Sequence, residues 1–171
     1  SIENDGCNGG LMDLAFDYCI ESNGLHSNDN YKYNAKDNEC LQNCRIENSK
    51  NCSDFDKVKG SNNFRYKFTK SYSIESLKEA VKINPVCIAI DAHDPTFRFY
   101  SNGVIEENNK RETTLNHAVL LVGYDQDEKG GYWIVQNSWG TNWGDNGYFK
   151  LRIINGKGVL SCQIYGVYPY N

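Results

Sequence analysis

Apolar residues recur at helical spacing at Leu11, Leu14, Ala15, Tyr18 and Cys19. That pattern predicts an amphipathic helix over roughly 11–22, with Asn23-Gly24 as its stop. A second set, Ile74, Leu77, Ala80 and Val81, follows Ser73, which can cap a helix, and runs out at Pro85. Beyond Pro85 the period shortens. Val86 to Ala92 is rich in β-branched residues and reads as a strand, and further strands are predicted at about 118–124, 131–137 and 147–154. Turns rich in Asp and Gly, or Gly and Trp, separate them. Phe97, Phe99 and Tyr100 precede a turn at Asn102-Gly103, and Glu106 to Thr114 is charged enough for an exposed loop. Lys36 to Asn63 is rich in Asn, Lys and Ser without periodicity, and reads as a long surface loop. Helix and loops come first and strands second, the order of an α+β protein. The composition shifts near residues 64–70, which places a boundary between 1–67 and 68–171.

Composition narrows the function classes. A chain of 171 residues with 39% hydrophobic and 13% aromatic residues can bury a core or two small ones. The net charge of -4 comes without a basic stripe, so nucleic acid is not an expected partner. Apolar runs fall short of the ~20 residues a membrane span needs. Seven cysteines suggest disulfides and an oxidising, endomembrane route, secreted or lysosomal/vacuolar; the odd number leaves at least one unpaired within the chain. Cys44 to Cys52 is the preferred local bridge, whereas Cys19 and Cys87 lie on apolar faces as buried small hydrophobes. Zinc held by Cys40, Cys44, Cys52 and His26 matches no common ligand spacing, and no metal or cofactor is expected. His26 and His93 read as surface or packing residues. Asn51-Cys52-Ser53 is a glycosylation sequon. Ser1 is not an initiator methionine and no signal peptide precedes it, so the chain is expected to be a processed or truncated piece of a precursor.

Two stretches carry candidate chemistry. His117 opens the apolar run to Val122, and Asn137 closes the run Tyr132-Trp133-Ile134-Val135. Adjacent strands would bring an imidazole and a side-chain amide to one sheet end. An amide oxygen that accepts the imidazole N–H fixes the ring's tautomer and direction, as a working base requires. The tryptophans and glycines from Trp139 to Gly147 suit a tight loop with flat apolar shields.

Asn116-His117-Ala118, Val122-Gly123-Tyr124, Asn137-Ser138-Trp139-Gly140 and Trp143-Gly144-Asp145-Asn146-Gly147-Tyr148 together resemble the papain-like cysteine peptidases. Gly6-Cys7-Asn8-Gly9-Gly10-Leu11-Met12 is similar to that family's substrate-cleft loop. Pro85 to Ala92, then Phe99-Tyr100 and Gly103-Val104-Ile105, resemble its cathepsin L branch, and Leu115 to Tyr124 resembles the cathepsins of insect viruses. The resemblance covers nearly the whole chain. It implies two lobes, here a partial helical one and an antiparallel β-barrel-like one carrying His117 and Asn137. His117 would pair with a thiolate, Asn137 would orient it, Trp139 would screen their hydrogen bond and Trp143 would wall the leaving-group side. Gly9 and Gly10 would let an extended peptide pair with the backbone. The pocket for the second residue before the cut (P2) would be lined by Leu11, Met12, Ala89, Leu115, Ala118 and Gly166, with no charge, so that Leu, Val or Phe is preferred there. Asn116 stands where the family usually has aspartate. Tyr168-Pro169-Tyr170 would pack back on the first lobe.

The family's nucleophilic cysteine lies roughly 130–150 residues before its histidine and asparagine. Counting back from His117 passes residue 1, and none of the seven cysteines has the family's Cys-Gly-Ser-Cys-Trp-like surroundings. By resemblance, Cys7 and Cys40 would pair with upstream cysteines, while Cys162 would be unpaired or have changed partner because Glu106 and Glu107 stand where its partner belongs. The expected partners are a peptide or protein substrate, the missing N-terminal segment, and propeptide or cystatin-like inhibitors. The leading expectation is the C-terminal part of a cysteine endopeptidase made as a zymogen, the isolated chain being inactive. The alternatives are a non-catalytic protease-fold remnant that binds peptides or partners, and a structural fragment without an independent fold.

Overall fold

The computed structural model describes residues 4–22, 24–29, 32–34, 36, 63–106 and 114–170. Cys40, Cys44, Cys52, the sequon and Glu107 lie outside the described residues. The chain forms two compact units, residues 1–64 with 171, and residues 65–170.

In the first unit, a 3-10 turn at Gly6–Asn8 leads to helix α1, Met12–Glu21. Asp13 sits in the first turn, where the helix dipole favours an anion. Gly24, with φ of 100°, ends α1 through its N–H bond to the Cys19 carbonyl. Cys19 is the buried residue of the helix.

The second unit is a seven-stranded sheet. Its strands are β1 (Arg65–Phe68), β2 (Val86–Ile90), β3 (Val104–Ile105), β4 (His117–Asp127), β5 (Gly130–Gln136), β6 (Tyr148–Arg152) and β7 (Gly166–Tyr170). Their order is β1-β7-β2-β4-β5-β6-β3. All neighbours are antiparallel except β3 and β6, which run parallel. Arg65–Lys67 therefore sit in the second unit, and Tyr168-Pro169-Tyr170 is strand, paired with β1. Helix α2, Ile74–Ile83, begins at Ser73, whose hydroxyl accepts the Ser76 N–H, as the sequence predicts. It buries Leu77 and Ala80. On β2 burial alternates, with Val86, Ile88 and Ile90 facing the core. Trp133, Val135, Phe149 and Leu151 from β5 and β6 complete that core.

One charged side chain closes the far end of the β4–β5 hairpin. Arg152 is 6% exposed and meets both oxygens of Glu106 at 2.8 Å. It also meets both oxygens of Asp127, at 2.8 and 2.9 Å, and the Gly130 carbonyl. Bidentate geometry on two carboxylates uses the guanidinium's planar fork fully. Hydrogen bonds from Arg152 hold the Asp127 carboxyl down at about 2, and the Glu106 carboxyl is lowered by the same cause. The Cys162 thiol is fully buried and unpaired, and burial pushes it up to about 12, which makes it inert at ordinary pH.

Because Asp127 titrates lower folded than unfolded, its contribution is complete above a pH of about 4 and is lost as the pH falls towards about 2. Thermal unfolding across that window is expected to show a smaller fall in midpoint for Arg152→Met than for wild type. Equal slopes would show that the network does not couple to folding.

Candidate active site

β4 starts at His117, which lies opposite Ile90 of β2. β5 ends at Gln136, and the next residue, Asn137, donates its N–H to the Gly147 carbonyl at 2.9 Å. Since β4 and β5 are neighbours, the two side chains meet: His117 Nε2 lies 2.8 Å from Asn137 Oδ1. The backbone N–H of Ser138 also donates to Asn137 Oδ1, at 2.8 Å. A peptide N–H can only donate, so this bond identifies the amide oxygen. His117 Nε2 must then carry the proton it gives to that oxygen, which leaves Nδ1 as the ring's other working atom. Asn137 is only 9% exposed, and its Nδ2 is buried without a partner among the described residues.

An aromatic cluster packs around the pair. The Trp139 ring centre is 5.1 Å from His117 and tilted by 34°. Phe97, wholly buried, touches His117, Trp139, Trp143 and Phe149 with centroid distances of 5.0 to 6.0 Å. Phe97 sits on the four-residue helix α3, Pro95–Arg98. Asp94 caps α3 by accepting the Thr96 N–H, and Pro95 is preset for a helix start. Trp143 donates its Nε1–H to the Arg98 carbonyl at 3.2 Å, which ties the glycine-rich loop to α3. Gly144 has φ of 62°, and an added Cβ would meet the Tyr148 carbonyl and the Tyr100 ring. The loop thus closes over the cluster only with glycine there.

Asn116 is held as firmly as its neighbour. Its N–H bonds the Ile90 carbonyl, its Oδ1 accepts the Ala92 N–H at 2.9 Å, and its Nδ2 approaches the His93 ring at 2.7 Å. His93 also lies 3.5 Å from Asp91, so it is more engaged than the sequence suggests.

The pocket residues separate into groups. Ala89 pairs with Ala118 across β2 and β4, and neither belongs to the buried face of its strand. Leu115 precedes them, 36% exposed. Gly166 is buried, and a Cβ there would run into Thr69, Val86 and Leu77, on the core side of the sheet. Its neighbour Tyr165 takes the other side: its carbonyl accepts the Ala89 N–H at 3.1 Å and its ring packs on Phe68. Strand alternation therefore puts Tyr165, not Gly166, on the face of Ala89 and Ala118. Gly9, Gly10, Leu11 and Met12 lie in the first unit, where Leu11 is half exposed. Cys7 is exposed on the 3-10 turn. Among the described residues no group of His, Cys, Asp and Glu could hold a metal ion, and no helix is long and apolar enough to cross a membrane.

Residues 1–169 match the profile of the papain family cysteine proteases. The chain belongs to that family. It is 40% identical over 166 residues to a cathepsin L-like peptidase of Aedes aegypti, covering 95% of this chain and 45% of that protein. With procathepsin L of Mus musculus it shares 37% over 152 residues, 86% of this chain and 42% of the relative. Among solved structures it is similar to the bromelain protease of Ananas comosus in complex with the E64 inhibitor. There the TM-score is 0.78 and the identity 32%, over 99% of this chain and 73% of that one. It is also similar to the proform of the ragweed pollen cysteine protease Amb a 11, with a TM-score of 0.80 and 32% identity over 97% of this chain and 47% of that one. The papain-like fold follows from these likenesses and from the mixed α+β architecture. The chain spans less than half the length of these two curated relatives.

Phe97 carries no signal in the sequence beyond its place in an aromatic-rich segment, yet it contacts every ring of the cluster but Tyr100's. Phe97→Ala is expected to destabilise the protein by about 3–5 kcal/mol through the cavity it leaves. Denaturant unfolding measures this, and a loss under about 1 kcal/mol would mean that the cluster repacks without it.

Proposed function

We propose that this chain supplies the base, its orienter and part of the substrate-binding surface of a Cys-His-Asn endopeptidase. The nucleophilic cysteine would come from a segment that precedes residue 1 in the same precursor. The observation that carries the reading is the His117–Asn137 hydrogen bond, with Ser138 fixing its polarity. Nε2 is committed to Asn137, so Nδ1 is the atom that takes a proton from a thiol. The resulting imidazolium favours the thiolate, which is the nucleophile towards an amide carbonyl. The same Nδ1–H then protonates the departing amine as general acid. Asn137 keeps the ring in the plane both steps need. Trp139, against the imidazole, keeps water from competing for the Nε2–H bond. Trp143, anchored to Arg98, walls the leaving-group side.

Specificity follows from what each unit offers. Gly10 in the first unit has a backbone N–H and C=O without a protein partner among the described residues, available to an extended peptide. In the second unit Ala89, Ala118, Leu115 and Tyr165 present no charge, so a basic P2 side chain would be buried unpaired. A Leu, Val or Phe would fill the same space at no such cost. The cathepsin L-like relatives, the proform structures and the seven cysteines support synthesis as a zymogen on the endomembrane route, secreted or lysosomal.

Full-length protein containing this chain is expected to cleave peptides with Leu or Phe at P2 at least about 100-fold better than with Arg, judged by kcat/KM. His117→Ala is expected to lower kcat by about 10²–10⁴-fold. Equal cleavage of peptides with a basic P2 residue would remove the pocket assignment, and an active His117→Ala protein would remove the mechanism. Mass spectrometry before and after reduction tests the missing segment. A second chain with a Cys-Gly-Ser-Cys-Trp-like stretch, freed by reduction, is the expected result if maturation cuts the precursor. An unbroken longer chain holding that stretch serves equally, and a native mass equal to this chain alone rules catalysis out.

A further inference from the structure

We infer that Asn4 is a substrate-positioning residue: its side-chain amide pairs with the backbone of Leu11 and thereby turns the N–H and C=O of Gly10 towards a bound peptide. This rests on the peptidase reading above. Asn4 Oδ1 accepts the Leu11 N–H at 2.6 Å, and Asn4 Nδ2 donates to the Leu11 carbonyl at 3.0 Å. An amide group that takes both backbone groups of one residue imitates the narrow pair of an antiparallel ladder. Leu11 is extended, with φ of -109° and ψ of 144°. In an extended chain the backbone groups of successive residues point to opposite sides. With Leu11 committed to Asn4, Gly10 faces away from it.

The surrounding bonds agree. Gly9 gives its N–H to Gly6 and its carbonyl to the Asp5 N–H, so Gly9 is used up inside the loop. Gly10 has no protein partner for either backbone group among the described residues, and it is exposed. Gly10 also lacks the positive φ that Gly9 shows at 116°. What requires glycine at position 10 is Asn4, whose side chain occupies the space that a Cβ would enter. Glycine at position 10 leaves room for the Asn4 side chain where its two bonds to Leu11 hold it.

Full-length matured enzyme tests this with an N-blocked dipeptide amide carrying Leu at P2, each variant normalised to its titratable active-site thiol so that misfolded protein does not count. Asn4→Ala is expected to raise KM about tenfold, the worth of one or two lost neutral hydrogen bonds, with kcat within about threefold of wild type. Asn4→Asp separates this role from mere loop stability. A carboxylate accepts from Leu11 N–H but repels the Leu11 carbonyl, whereas a carboxylic acid both accepts and donates. The Asn4→Asp defect is therefore expected to shrink as the pH falls through the carboxyl range near about 4, while the Asn4→Ala defect does not. Wild-type KM in Asn4→Ala, or matching pH profiles of the two variants relative to wild type, would overturn the inference alone. Should Asn4→Ala fail to fold, the Asn4→Asp profile decides by itself. Inactive wild-type enzyme would overturn the peptidase reading and this inference together.

Discussion

The contact between His117 and Asn137 exists because β4 and β5 hold one register. Leu120 lies opposite Gln136, which brings the first residue of one strand within reach of the residue just past the other. A slip of one residue would turn every side chain of β5 to the opposite face. The burial of Trp133 and Val135 forbids that slip, because it would turn both core residues of β5 outward. The register shift between Leu121 and Gly123 lies on the turn side of the Leu120–Gln136 pair and leaves the site end of the hairpin unaltered. Core packing thus specifies a polar distance it does not touch.

Around this pair, the aromatic cluster supplies rigidity and the loop backbone supplies polarity. Phe97 fixes the rings of His117, Trp139 and Trp143 from beneath. Ser138 and Gly147 fix Asn137 through its oxygen and its backbone. Among the described residues, Nδ2 of Asn137 is the one buried side-chain donor left without a partner, whereas buried Gln163 is paired with Trp133, Ile154 and Gly156.

Much of this could be read from residue order. Helices α1 and α2 and strands β2, β4, β5 and β6 follow periodicity and caps, and each observed span begins or ends within three residues of its reading. The elements missed are short or mixed. α3 has four residues, too few to show a 3.6 period, and β3 has two. β7 contains Pro169, which argues against a strand unless it lies where no ladder bond is needed. In the candidate site, His117 and Asn137 stand out because one polar residue opens an apolar run and the other closes one. The roles of Phe97 and Asn4 are invisible in the sequence, since each depends on a tertiary contact. That Tyr165 lies opposite Ala89, with Gly166 opposite Ile88, is legible only from the ladder.

The hairpin that carries His117 and Asn137 has a kinetic meaning. The two residues are 20 apart, and a two-residue turn at Glu128 and Lys129 joins their strands. Closing so short a segment costs little chain entropy, and local contacts of this kind form early in folding. His117 and Asn137 are therefore brought together by a piece of chain whose two strands are neighbours in sequence. A growing polypeptide can thus join this imidazole and this amide within one short, fast-closing segment.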